Sequence, residues 1–203
     1  MKSFNCIFVR EKSGKDFVLE NYNLNSRVVL DPTFLLNKEY WIRFSNKASI
    51  KYQNYVLIYV METCDNLINS AIKYAFKHNL DMVILGNVKK FECEDINIHW
   101  LDDLDPYEFV NYIANASTVF TTSFHGMCFS INLNIEFYFE LSNQKRNNNF
   151  RLIDLSKKFN LQSQEIYSDN LKENKINWCK VNDILELERE KSVSLLKNSI
   201  SHV

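Results

Sequence analysis

The amino-acid sequence predicts an α/β fold, a doubly wound and mostly parallel sheet with helices on both faces. Three observations predict it. Strand and helix patterns alternate along the 203 residues. The strand segments are apolar throughout rather than at every second position, as expected of strands covered on both faces. No internal repeat or linker breaks the alternation, and the chain holds three glycines and two prolines. A chain of this length can bury a proper core and is read as one domain, residues 1–203.

The elements follow in order. Residues 5–9 form a short buried strand, and residues 13–21 a helix opened by Ser13 beside a turn at Gly14. Residues 27–30 are a second strand, stopped by Asp31-Pro32 because proline cannot continue a ladder. Tyr55–Val60 (YVLIYV) is the strongest strand signal, rich in β-branched and aromatic residues. Asp65 opens a helix to about His78, with Leu67, Ile68, Ala71, Ile72, Ala75 and Phe76 at helical spacing. Residues 82–85 form a strand ending at Gly86, and residues 97–100 a shorter one. Asp105-Pro106 starts the next helix, with proline at its first position and Phe109, Val110, Ile113 and Ala114 on one face. Then come the strand Thr118–Thr121, a helix over 125–133 and a strand over 135–139. Residues 144–149 read as a polar loop, and residues 151–159 and 181–199 as amphipathic helices.

Composition narrows the function classes. A formal net charge of -1 gives no reason to propose nucleic acid or an anionic membrane as partner. The five cysteines (Cys6, Cys64, Cys93, Cys128, Cys179) form no CxxC or Cys/His cluster, which argues against a disulfide framework or zinc and for a reducing cytoplasm. The apolar run at the N-terminus is too short for a signal segment and meets Arg10-Glu11-Lys12 at once, and no stretch approaches the roughly 18 apolar residues of a membrane span. The abundant asparagine reads as compositional bias.

In a doubly wound sheet, ligands sit beyond the carboxyl ends of the strands. That rule selects Arg10 and Glu11, Met61 and Glu62, Gly86 and Asn87, residues 123–126, and Glu140. The sharpest stretch is Thr121-Thr122-Ser123-Phe124-His125-Gly126, where hydroxyl residues end a strand and a histidine arrives at a helix start. Ser or Thr there can cap the helix, and the unpaired N–H groups face outward beside an imidazole, the side chain suited to acid–base work near neutral pH. A first-turn histidine can also serve a purely local hydrogen bond; the strand-end position and the hydroxyls favour a functional one. Gly126 would let a ligand approach the backbone closely. Arg10 can grip a phosphate or carboxylate in a fork, or pair with a nearby acid instead. Lys145, Arg146 and Arg151 follow the last strand; Lys145 reads as solvated, Arg146 and Arg151 as anion contacts. Asp31-Pro32-Thr33 is most simply a strand-terminating turn, and Asp102, Asp103 and Asp105 are helix-start acids, so no metal site is assigned. Gly-rich phosphate loops and the G-x-S-x-G elbow are absent.

These residues resemble the C-terminal half of the polysaccharide pyruvyl transferase family over about residues 5–165. The resemblance rests on Val9-Arg10-Glu11-Lys12-Ser13, on Val28-Val29-Leu30-Asp31-Pro32-Thr33-Phe34-Leu35-Leu36, on Asp105-Pro106-Tyr107-Glu108-Phe109, on Ile113-Ala114-Asn115-Ala116 running into Thr121–Met127, and on Asn149-Phe150-Arg151-Leu152-Ile153-Asp154-Leu155. It implies a Rossmann-like domain similar to the C-terminal domain of a GT-B fold. It also implies transfer of an enolpyruvyl group from phosphoenolpyruvate to two sugar hydroxyls, forming a pyruvate ketal for cell-surface or exopolysaccharide synthesis.

On that basis His125 would protonate the enol methylene and Arg10 would hold the donor. Ser123, Thr122, Gly126 and Arg146 would contact the substrate, with no cofactor besides the donor itself. Some family members carry arginine where this chain has Ser123, and Arg146 is the expected replacement. The family's N-terminal half does not precede Arg10 here. The implied partners are therefore phosphoenolpyruvate, a saccharide or lipid-linked saccharide acceptor, and a separate N-terminal half or a second copy, with helix 181–199 facing that half. The implied location is the cytoplasm or the inner face of its membrane. A nucleotide-sugar glycosyltransferase domain of GT-B type and a non-catalytic remnant or subunit are the alternatives.

Overall fold

The structure is a computed structural model that describes residues 6–62, 64–142, 149–168 and 171–200. Its first part runs β1 (Phe8–Val9), α1 (Lys12–Tyr22), β2 (Arg27–Val28), α2 (Pro32–Leu35), α3 (Lys38–Ser45) and β3 (Tyr55–Val60). There follow α4 (Asp65–His78), β4 (Asp81–Gly86), β5 (Ile98–Leu101), α5 (Pro106–Ala114), β6 (Thr118–Thr121), α6 (Phe124–Leu133) and β7 (Phe137–Phe139). The chain ends with α7 (Asn149–Lys158), a single 3₁₀ turn and α8 (Trp178–Ile200).

The five-stranded sheet has the order β5-β4-β3-β6-β7, with every neighbouring pair parallel. β3 is central, so its run of large apolar side chains is buried on both faces. Tyr55 and Leu57 join one core with Val110 and Ile113 of α5 and Met127, Cys128 and Ile131 of α6. Val56, Ile58 and Val60 join another with Leu67, Ile68, Ala71 and Ala75 of α4. The chain leaves β5 at one edge and returns beside β3 as β6, which makes the β3/β6 boundary the topological switch point where such sheets open to ligands.

The expectation of one sheet needs correction at the N-terminus. β1 and β2 pair in parallel only with each other, as a separate two-stranded sheet. The ladder there is two residues long because Arg10 turns away after Val9 and the chain leaves β2 for the Leu30–Asp31 bend. Asp31-Pro32-Thr33 is more than a turn: the Asp31 side chain accepts the Thr33 N–H, Pro32 occupies the first helical position, and α2 begins. α3 follows, with Asn37 as its N-cap.

The C-terminal helix is anchored on its own chain by one face. Its apolar Val181 and Leu185 pack into the core of this same chain. Ser192 Oγ accepts the buried Leu30 N–H at 2.9 Å, and Arg189 Nε donates to the Phe34 carbonyl at 2.6 Å. This face of α8 holds residues 30–34.

Asparagine proves structural rather than incidental. Asn23, Asn79 and Asn134 adopt left-handed conformations and end α1, α4 and α6, a task usually given to glycine. Gly86 takes the exception, at φ 119°, where a side chain would collide with the Val60 carbonyl of the neighbouring strand.

Candidate functional site

The site gathers three segments that are far apart in sequence. Arg10 arrives from the end of β1, Asp31 from the bend before α2, and His125 from the first turn of α6. Asp31 is their common point. Its Oδ2 accepts a hydrogen bond from Arg10 Nη1 at 2.7 Å and lies 3.8 Å from His125 Nε2. Its Oδ1 accepts both the Thr33 N–H at 3.0 Å and the Thr33 hydroxyl at 2.8 Å. The Asp31 side chain is 3% exposed, whereas those of Arg10 and His125 are 37% and 48% exposed. A buried carboxylate therefore anchors a cation and an imidazole that both reach solvent.

Electrostatics keep that anchor charged. Burial pushes the Asp31 carboxyl upward, but the Thr33 N–H, the Arg10 guanidinium, the Thr33 hydroxyl and the nearby imidazole together hold it below its ordinary value. A charged Asp31 in turn fixes the direction of the Arg10 fork. Only one Arg10 hydrogen bond is directed at Asp31, so the guanidinium keeps donors for a ligand.

The segment bearing Asp31 is held from behind. Phe34, fully buried, wedges into the core, and Asn132 of α6 donates to the carbonyls of Thr33 at 2.8 Å and Leu36 at 3.0 Å. Arg189 of α8 binds Asn132 Oδ1 at 3.1 Å as well as the Phe34 carbonyl. This bracing ties α2, α6 and α8 into one support for the acid–cation–imidazole group.

The hydroxyls of residues 121–123 are spent on the fold. Thr121 Oγ1 donates to the Tyr59 carbonyl at 2.6 Å and accepts the Ser123 N–H at 2.9 Å. Thr122 Oγ1 accepts the Met61 N–H at 3.1 Å, clipping β6 to β3 at their ends. Ser123 is buried and caps α6 through a long bond from the Gly126 N–H, 3.4 Å. The capping role expected of it is present; the substrate contact is not what its side chain faces. Gly126 serves close packing. It is buried where any Cβ would strike the Thr121 hydroxyl and come within 3.1 Å of the Tyr59 ring, so the missing side chain lets α6 lie close on the sheet. His125 is the residue of this stretch that points outward, beside the first-turn N–H groups that have no intrahelical acceptor.

Other strand-end residues lie elsewhere in purpose. Glu140 accepts the Leu67 N–H at 2.7 Å and the Asn66 side chain at 3.2 Å, so it caps α4, which lacks a side-chain cap of its own. Asp105 and Glu108 close a capping box on α5. Among the described residues no cluster of His, Cys, Asp or Glu is arranged to hold a metal ion, and no helix is long and apolar enough to cross a membrane. Arg146 and Lys145 lie outside the described residues.

Sequence reasoning missed Asp31. The signal was present as Leu-Asp-Pro-Thr, but a strand-terminating turn explained it without a second role.

A cavity of about 400 Å³ opens beside Arg10 and Asp31, with Phe124 and Arg151 in its wall. The Arg10 and Arg151 guanidinium carbons lie 5.3 and 5.5 Å from the Phe124 ring centre. Two guanidinium groups, a buried carboxylate and an exposed imidazole thus stand together at the edge of a parallel α/β domain.

That α/β fold is similar to a GT-B-type structure: a UDP-GlcNAc 2-epimerase from Methanocaldococcus jannaschii, solved in complex with UDP-GlcNAc and UDP, matches this chain with a TM-score of 0.50 at 12% identity. The likeness covers 95% of this chain and 61% of the epimerase, so the chain spans less than two thirds of that relative's length. No curated protein sequence matches the chain significantly. The sequence profile of the polysaccharide pyruvyl transferase family matches residues 1–140, and the chain belongs to that family. The matched span contains Arg10, Asp31 and His125 together.

Proposed function

We propose that this chain binds phosphoenolpyruvate and supplies the proton that starts enolpyruvyl transfer to a saccharide or lipid-linked saccharide. The observation that carries the proposal is the single buried carboxylate, Asp31, shared by Arg10 and His125. His125 Nε2 gives its proton to the donor's methylene carbon, and the adjacent carbon becomes an oxocarbenium centre. An acceptor hydroxyl adds there and loses its proton to the now neutral imidazole. The bond to the phosphate oxygen then breaks with its electron pair on oxygen, and a second hydroxyl closes the ketal, its proton leaving with phosphate. Asp31 holds Arg10 and lies beside the imidazole, and Arg10 with the open start of α6 offsets the donor's phosphate charge.

Family membership supports the reaction class, and the exposed imidazole supports the choice of acid. In this reading the acceptor comes from cell-surface polysaccharide synthesis in the cytoplasm or at the inner face of its membrane, and a second wall of the cleft comes from an N-terminal half or another copy. The test is phosphate release from phosphoenolpyruvate with candidate sugar acceptors, with and without an added N-terminal half. His125→Ala is expected to lose about 10²–10⁴-fold in rate. Wild-type turnover by His125→Ala, or binding of UDP with none of phosphoenolpyruvate, overturns the proposal.

A further inference from the structure

Glu11 and Arg151 both line the cavity beside the Arg10–Asp31 pair. Glu11 Oε2 and Arg151 Nε are both buried and, among the described residues, have no hydrogen-bond partner. Buried polar groups are normally paired, so two residues of one cavity wall that each keep an unpaired atom mark a place that a ligand completes. Their surroundings describe that ligand. Arg151 lies over the Phe124 ring, as Arg10 does, and Phe34 closes the apolar side of the same cavity. A small molecule with an anionic end and an apolar body fits between them.

We propose that Arg151, with Glu11 beside it, forms a carboxylate subsite, so that the donor's carboxylate enters the cavity while its phosphate stays at Arg10 and the start of α6. This assignment rests on the donor reading above. The shape of the unpaired edge favours a carboxylate. Nε–H and a neighbouring Nη–H of one guanidinium present two parallel donors in a plane, which matches the two coplanar oxygens of a carboxylate. The helix N-terminus, with its diverging N–H groups, suits the tetrahedral phosphate better. Glu11 fits the same ligand. It lines the same wall, where burial pushes its carboxyl upward against the pull of Arg151 and Arg10.

The experiment is isothermal titration of the full chain with phosphoenolpyruvate, inorganic phosphate and pyruvate. Arg151→Gln is expected to weaken phosphoenolpyruvate by about tenfold or more and to abolish pyruvate binding, with phosphate affinity changed less than about twofold. Arg151→Lys keeps the charge but loses the fork, and is expected to lie between. Circular dichroism and the melting midpoint of each ligand-free variant report its folding; if Arg151→Gln unfolds, Arg151→Lys decides on the same ratio of affinities. Unchanged phosphoenolpyruvate affinity overturns the subsite, and so does an equal loss for phosphoenolpyruvate and phosphate, which would put Arg151 at the phosphate. A wild-type chain that binds no phosphoenolpyruvate overturns the donor reading and the subsite with it.

Discussion

Replacing Asp31 separates its two oxygens, and the structure assigns a different consequence to each. Asp31→Ala removes the N-cap bond to the Thr33 N–H, worth about 1 kcal/mol, and the bond from the Thr33 hydroxyl, worth about the same. It also removes the bond from Arg10, which is discounted to about 0.5–1 kcal/mol because the Arg10 side chain is 37% exposed. The loss comes to about 3 kcal/mol, or a fall in melting midpoint of roughly 6–12 °C for a chain of this size. Asp31→Asn can keep an oxygen on Thr33 and forfeits mainly the charge, so its cost is about 1 kcal/mol.

Urea unfolding at constant m-value measures both. The pH dependence follows from the sign of the shift. Asp31 is held below its unfolded value of about 4, so its contribution is fully present above that pH and fades as pH falls through the folded value. The gap between wild type and Asp31→Asn should therefore be constant from neutrality down to about pH 4 and close below it. Equal costs for the two variants, or a gap that persists in strong acid, would refute the assignment of the two oxygens. If the proposed reaction holds, both variants lose phosphate release from phosphoenolpyruvate even where they remain folded, because neither holds Arg10 through a charged oxygen.

Two further outcomes test the support around the site. Ser192→Ala leaves the buried Leu30 N–H without its acceptor and is expected to cost about 1–3 kcal/mol, with faster amide hydrogen exchange at residues 30–34 than in α4. Gly126→Ala forces a Cβ against the Thr121 hydroxyl and the Tyr59 ring, an overpacking cost of about 1–3 kcal/mol; thermal unfolding measures it, and an unchanged midpoint would show that α6 can lift off the sheet freely.

Much of the fold was legible in local patterns. Tyr55–Val60 and Thr118–Thr121 were read to the residue and Asp65–His78 to within one, Asp65 being its first helical residue rather than its cap, because each carries a full-length signal: a continuous apolar run, a strand stopped by hydroxyls, a 3.6-residue stripe. α3 was missed. Residues 5–9 were read as part of the main sheet because a two-residue ladder and a central strand look alike in sequence; which partner a strand takes is a long-range matter.

The site divides in the same way. His125 stood out because chemistry and position coincide at a strand-to-helix turn. Ser123 and Gly126 stood out for the same reason, yet their roles are capping and close packing, which only the contacts of α6 with β3 and β6 reveal. Asp31 was hidden behind an adequate local explanation.

The sequence by itself determined the α/β class, the family and the placing of a histidine at the ligand edge of the sheet, since these depend on periodicity, turn chemistry and motif order along the chain. The tertiary structure alone decided that Arg10, Asp31 and His125 meet, that α8 braces residues 30–34, and that Arg151 and Glu11 face one cavity. Those facts depend on which segments are brought together, and a carboxylate 21 residues from its arginine has no local signature of that pairing.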